Sequence, residues 1–287
     1  MLPLYASTRG PMVPLDHIKG QVHSVFHKVC NLELCDGSFI ALGREDVFNG
    51  PGIIRCRTDR GFSFLDYVNT DEPCAYRRGI LRIGKHLKVD LRGSIPWQNC
   101  INKEKADDFP DLHNVYMKIF NSELAFDRVI ETVANPEQYL SRGTNLPVAL
   151  VPLVGKGPGL TPLGDDFIVG VAAGMEPHPN SRNLISFWLN TVVEKTTALS
   201  GRMLHYASYG WFIEPIVEFV NNISDISQVE KPIPLLTIGD TSGMAMAYGC
   251  LVGYQIGDKL DQKTGTNKSD CSISRPIPNY SPNNQAA

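Results

Sequence analysis

A chain of 287 residues holds one large domain or two ordinary ones, and 43% hydrophobic with 20% charged residues is the composition of a globular protein. A formal net charge of −3 provides no basic excess of the kind that binds nucleic acid. No apolar run approaches the roughly 18 residues of a membrane-spanning helix, so neither nucleic acid nor a membrane is expected as a partner.

The first 19 residues carry Pro3, Pro11 and Pro14 and read as an arm. Residues 20–105 read as a mostly β domain, a small barrel or sandwich. "SVFHKVCNLELCDGSFIALG" gives two strands around the tight-turn dipeptide Asp36-Gly37, and "GIIRCRTDRGFSFLDYV" repeats the idea around Asp59-Arg60-Gly61. "GILRIGKHLKVDLRG" sets Leu81, Ile83, Leu87, Val89 and Leu91 in the alternation of a half-buried strand pair. Asn49-Gly50-Pro51-Gly52 marks a special turn, with Asn49 as a substrate-contacting candidate.

Residues 106–257 read as a mostly helical domain, which makes the fold class α+β. Val115, Ile119, Leu124, Val129 and Val133 recur at helical intervals. "NSRNLISFWLNTVVEKTTALSGRMLHYASYG" is one long helix or two short ones, and "FIEPIVEFVNNI" is another with Pro215 in its first turn. Residues 258–287 are polar and rich in Lys, Asn, Ser, Pro and Gln, with too little apolar surface to offset their ordering entropy. They read as a disordered tail.

The seven cysteines, Cys30, Cys35, Cys56, Cys74, Cys100, Cys250 and Cys271, form no C-x-x-C pair. No basic-then-apolar leader is seen, so they read as reduced thiols of a cytoplasmic protein. Histidines His23, His27, His86 and His205 show no metal-ligand spacing with nearby acids.

The chemistry concentrates in "GKGPGLTPLGDDFIVGVAAG", Gly155 to Gly174. Thr161 and Pro162 make a helix start, with Thr161 as cap. The residues beyond are apolar all round, as in a buried helix. Asp165 and Asp166 stand at its mouth. The helix dipole favours them by only about 0.3–1 kcal/mol, whereas a bare buried carboxylate costs several kcal/mol. They therefore need N–H groups, a cation, a metal or a polar ligand. Adjacent helical residues point about 100° apart, so the two acids do different things. Gly155, Gly157 and Gly159 let the backbone approach a ligand, and glycine loops before helices are anion sites. The plainer alternative is a tight turn whose acids tie loops together.

"IGDTSGMAMAYGCLVG", Ile238 to Gly253, echoes this pattern: Gly239-Asp240-Thr241 repeats Gly159-Leu160-Thr161. Thr241 and Ser242 are possible caps, and the small residues keep the helix thin. Two such helices can aim both N-termini into one cleft. Thr196, Thr197 and Ser200 are read as helix hydroxyls bonding back to the backbone. Lys156 and Arg202 are taken as surface cations. No Walker loop, dinucleotide turn or G-x-S-x-G elbow is present. The residues alone point to a small-molecule or anion pocket.

"GKGPGLTPLGDD" resembles the G-x-G-P-G-L-T-P-[SA]-G-D-D signature of the AllH family, named for a subunit of oxamate carbamoyltransferase. "HSVFHKVCNLEL", "DGSFIALG", "FNGPGII", "TTALS", "ASYG" and "GDTSGMAMAYG" resemble its other blocks, so the likeness runs from about Gly20 to Gly253. Two departures stand out. Leu163 occupies a usual small-residue place, and Asp240 stands where the family often has histidine. The resemblance implies a subunit working with AllG-type and FdrA-type partners in allantoin breakdown, transferring a carbamoyl group between oxalurate and phosphate. It further implies Asp165 and Asp166 as catalytic residues. Asn49, Gly157, Gly159, Thr161, Gly164, Thr241, Ser242 and Gly243 are the implied contacts to a small anionic substrate. No cofactor is expected, with Mg²⁺ at Asp165/Asp166 as the alternative. A non-catalytic partner subunit, and a free-standing enzyme on another small acid or phosphate, stay open beside the transferase.

Overall fold

The computed structural model describes residues 1–16, 18–98, 101–102, 115, 119, 124–133, 146–223 and 233–264. The chain divides between Asn99 and Cys100 into two compact units.

The first unit is a β-barrel. Its strands are β1 (Leu2–Arg9), β2 (Lys19–Val25), β3 (Val29–Leu34), β4 (Phe39–Arg44), β5 (Ile53–Arg57), β6 (Pro73–Arg77), β7 (Ile80–Ile83), β8 (Leu87–Asp90) and β9 (Ile95–Pro96). They lie in the order β5-β4-β3-β2-β6-β7-β8-β1-β9, and pairing of β1 with β5 closes eight of them into a ring. The expected hairpins at Asp36-Gly37 and over Ile80–Asp90 are present. Gly37 takes φ 75°, and Leu81 stands opposite Val89 and Ile83 opposite Leu87, all four side chains fully buried.

Two expectations are corrected here. The N-terminal residues are not an arm: Leu2–Arg9 is the closing strand, antiparallel to β5 and parallel to β8. The prolines hide a short period-2 pattern in which Leu4 and Ala6 are buried while Tyr5 is exposed. Nor does a second strand follow Gly61. The chain turns at Asp59–Phe62 into a single 3-10 turn, Phe64–Asp66, that buries Phe64 completely. Cys30, Cys56 and Cys74 are buried free thiols of this unit. Burial pushes Cys30 up to about 12 and Cys74 up to about 11, so both stay protonated.

The second unit shows seven helices among the described residues: α1 (Leu124–Val133), α2 (Leu146–Leu150), α3 (Leu163–Met175), α4 (Pro179–Val192), α5 (Ala198–Ser208), α6 (Glu214–Asn221) and α7 (Ser242–Thr264). The long Thr/Ser-containing segment is two helices, α4 and α5. They separate at Thr196–Thr197, where the Thr197 hydroxyl accepts the Ser200 N–H at 3.1 Å and caps α5. α7 runs to Thr264, so the expected tail does not begin at Asp258; residues 265–287 lie outside the described residues, as does the expected boundary at 105/106.

α3 is the centre of this unit, with all 13 of its residues buried. It packs along α7 with the rings of Phe167 and Tyr248 in contact, and backbone meets backbone at the glycines. A Cβ on Gly170 would stand 2.1 Å from the Met246 carbonyl oxygen, and one on Gly249 would stand 2.2 Å from that of Phe167. Gly174 meets Cys250 and Gly253 meets Val171 in the same way. Contacts advance in the same direction on both helices, so α3 and α7 are parallel and begin side by side. No helix of the described residues is long and apolar enough to cross a membrane.

Candidate functional site: two helix starts and two aspartates

The start of α3 is folded back on its own loop. The Gly164 N–H donates to the Lys156 carbonyl at 2.9 Å, and the Asp165 and Asp166 N–H groups donate to the Pro162 carbonyl at 2.9 and 3.1 Å. The N-cap is Pro162, with no side-chain cap. Thr161 is therefore not the cap; its hydroxyl is turned to the Ser242 hydroxyl, 3.4 Å away, at the first residue of α7. That contact joins the two helix starts.

The start of α7 is built alike. The Gly243 N–H donates to Ile238 at 3.0 Å and the Ala245 N–H to the Thr241 carbonyl at 2.9 Å. Gly164 and Gly243 thus have their N–H groups engaged, and each is pressed on a neighbouring backbone: a Cβ would stand 2.0 Å from the Leu153 carbonyl oxygen and 1.9 Å from that of Leu235. Among the described residues the N–H groups of Thr161, Leu163, Ser242 and Met244 have no partner. Gly157 and Gly159 are exposed, with φ of 118° and 95° that only glycine adopts without strain.

The two aspartates, next to each other in the chain, have opposite surroundings. Asp165 is fully buried, and both its oxygens are filled by donors. Oδ1 accepts the Gly155 N–H at 2.9 Å; Oδ2 accepts the Ser200 hydroxyl at 2.8 Å and the Thr196 hydroxyl. The Thr197 hydroxyl donates to the Leu160 carbonyl at 2.5 Å, so the start of α5 holds the glycine loop at two places. The hydroxyls of Thr196, just ahead of α5, and of Ser200 in its first turn go to Asp165 and not to the backbone expected from the sequence. The spacing Thr-Thr-x-x-Ser at a cap was the available signal.

Asp166 is 1% exposed, yet neither oxygen has a hydrogen-bond partner. It lies one turn ahead of Gly170, on the face of α3 that packs on α7. Burial pushes its carboxyl up to about 8; the nearby Ser242 hydroxyl opposes this without closing a well-formed hydrogen bond, and Asp165 adds to it. At neutral pH Asp166 is mostly an uncharged acid. Leaving such a group without partners costs about 1–3 kcal/mol, a cost folded proteins rarely carry.

Three cations of this unit are engaged elsewhere. Lys156 Nζ donates to the Thr132 carbonyl at 2.6 Å, Arg202 lies 5.8 Å over the Tyr206 ring, and Arg128 pairs with Asp240 at 3.1 Å. Asp240 itself is 85% exposed. Among the described residues no group of three or more His, Cys, Asp or Glu is arranged to hold a metal. Asn49 belongs to the barrel unit, where its buried side-chain oxygen accepts the Thr8 hydroxyl at 2.5 Å.

Two family models match the chain, one described as AllH family N-terminal domain over residues 8–99 and one as oxamate carbamoyltransferase subunit AllH over residues 153–254. The chain belongs to the AllH family. No solved structure matches it. The stretch matched by the AllH subunit description opens at Leu153 and closes at Tyr254, so it takes in the glycine loop, Asp165, its braces on α5, and the packed part of α7. In this AllH protein the signature therefore covers one continuous arrangement: a loop, a buried carboxylate that anchors it, and a second acid left without partners where two helices begin.

Proposed function

We propose that this chain is the AllH-type subunit of an oxamate carbamoyltransferase complex, working beside AllG-like and FdrA-like subunits in allantoin catabolism. Its share of the work is to bind small anionic substrates where α3 and α7 begin. The observation that carries this reading is the junction itself: parallel helices meeting through Thr161 and Ser242, with unpaired N–H groups and Asp166 beside them. Two aligned helix dipoles place positive potential at one spot, which suits a carboxylate or phosphate without any basic side chain.

In the reaction, oxalurate and hydrogen phosphate give oxamate and carbamoyl phosphate. The bond between the carbamoyl carbon and the oxamate nitrogen breaks, a bond from that carbon to a phosphate oxygen forms, and the phosphate proton passes to the departing nitrogen. Both substrates and both products are small anions. Positioning and electrostatic stabilisation are the contributions such a site makes.

A second reading keeps the pocket and moves the chemistry to a partner chain. It is favoured by the engagement of Lys156, Arg128 and Arg202 with other groups, so that none of these three serves the junction. The test is a thermal-shift series on the purified chain with phosphate, oxamate, oxalurate and oxalate. A ligand at a hundred times its dissociation constant stabilises the fold by about 2.7 kcal/mol. The double variant Thr161→Val, Ser242→Ala should lose most of that shift. A wild-type protein that no ligand stabilises overturns the pocket. Full turnover by a reconstituted complex carrying the double variant leaves only the second reading standing.

A further inference from the structure

We propose that of the two aspartates only Asp166 meets the ligand, and that it does so as a neutral acid paired face to face with a carboxamide. Its O–H donates to the amide carbonyl, and its own carbonyl oxygen accepts the amide N–H. The inference builds on the pocket described under the proposed function and names which part of the substrate lies where.

Asp165 is already held on both oxygens. Three donors, the Gly155 N–H and the Thr196 and Ser200 hydroxyls, converge on its two oxygens. Asp166 has both oxygens free of partners while almost wholly removed from water. A neutral carboxyl offers one donor and one acceptor side by side. A carboxylate answers only the donor. A primary carboxamide, with carbonyl and NH₂ at matching spacing, answers both. The other end of the same small molecule, if anionic, faces the free N–H groups of Thr161, Leu163, Ser242 and Met244. The ligand class is thus a small anion carrying a carboxamide or carbamoyl group, which enters by replacing the 3.4 Å contact between Thr161 and Ser242.

Among the described residues no paired or engaged charge counteracts this arrangement. On α3 the neighbour is Asp165, and α7 contributes the Ser242 hydroxyl. Asp240 ahead of α7 and Arg128 of α1 pair with each other, and Glu131 of α1 is exposed. Lys156 is held by Thr132. On α5, Arg202 stacks on Tyr206, and burial keeps His205 neutral down to about 4. On α6 the acids are Glu214 and Glu218, the latter raised by burial and by Glu214.

The experiment is isothermal titration of the full chain with oxamate and with oxalate, which replaces the amide by a second carboxylate. It is run on wild type, Asp166→Asn and Asp166→Leu from pH 6.5 to 9.5. Asparagine keeps a donor and an acceptor but cannot ionise. At pH 7, Asp166→Asn should bind oxamate within about threefold of wild type, while Asp166→Leu loses about tenfold and its oxalate binding matches that of Asp166→Asn. Wild-type affinity for oxamate should fall about tenfold between pH 7 and 9, in proportion to the neutral fraction of Asp166, and that of Asp166→Asn should stay flat. If Asp166→Leu does not fold, the flat profile of Asp166→Asn decides. The inference is overturned if wild type is flat through pH 9.5, if Asp166→Asn weakens oxamate as much as leucine does, or if binding requires Mg²⁺ and Asp166→Asn abolishes it. Oxamate and oxalate binding alike to all three proteins sinks the amide pairing and leaves the pocket; no binding of either ligand sinks both.

Discussion

The starts of α3 and α7 share the pattern Gly-x-Thr and lie side by side, yet they treat their acids in opposite ways. Asp240, ahead of α7, stands 85% exposed and pairs with Arg128. Asp165 and Asp166, inside the first turn of α3, are exposed by 0% and 1%. In water a carboxylate keeps its charge cheaply and an ion pair adds little. Out of water each acid must either gather donors or give up its charge. Asp165 does the first, Asp166 the second. A helix dipole is common to both starts; depth of burial separates the surface charge from the two buried acids, and the donors within reach separate the anchor from the unpaired acid.

The deepest member of the comparison gives the largest expected effect. Asp165→Ala strips the acceptor from three buried or half-buried donors and should cost about 3–5 kcal/mol. In a unit of this size that lowers the melting temperature by roughly 10 °C. Thr196→Val and Ser200→Ala should cost about 1–2 kcal/mol each. A calorimetric scan of Asp165→Ala that overlays wild type would show that the anchor does not hold the loop.

Asp166→Asn should act in the other direction. Its carboxyl is raised in the folded state from 3.8 to about 8, so the unfolded chain releases this proton first. Below pH 4 both states hold the proton and the group is neutral in the balance. As pH climbs to about 8 the ionised unfolded state gains, and stability falls; above that the loss levels off. Asparagine removes the penalty. The variant should match wild type near pH 4 and exceed it by up to about 5 kcal/mol at pH 8. Denaturant melts at the two pH values check this, and a constant gap would place the effect outside Asp166.

Much of this contrast was readable from the chain. The apolar run from Phe167 to Met175 announced a buried helix, and two adjacent acids at its mouth announced different tasks for each. The small residues after Ser242 announced a thin helix, and the parallel register of α3 and α7 follows from the backbones their glycines touch. What escaped was non-local. Thr196 and Ser200 lie 31 and 35 residues from Asp165, and the Thr-Thr-x-x-Ser spacing marks a cap without naming the acid it meets. Pro162 took the cap because its preceding loop curls back to satisfy Gly164 from Lys156, which frees Thr161 to turn to α7. In the barrel, β1 was missed because its partners β5 and β8 come about fifty and eighty-five residues later in the chain. Sequence pattern reports a residue's own surroundings well and its distant partners poorly.

Asp240 gives the smallest expected effect and the sharpest control. Its pairing with Arg128 is at the surface, so Asp240→Asn should change stability by less than about 0.5 kcal/mol. The same change removes a negative charge two residues ahead of Ser242, where an anionic ligand is proposed to bind. Across solvent that repulsion is weak and screened, with a Debye length of about 10 Å at 0.1 M salt. Removing it should tighten oxamate less than threefold at low salt and leave the affinity unchanged at 1 M. Asp240→His, which restores the residue often found in the family's pattern, should behave like Asp240→Asn above pH 7 and tighten oxamate further as the imidazole gains its proton near pH 6. A change of tenfold or more in either variant, persisting in high salt, would mean that the Asp240 side chain leaves Arg128 and turns to the ligand. The exposed acid would then belong with Asp166 as a group that meets substrate, and the contrast between the two helix starts would hold only for the empty protein.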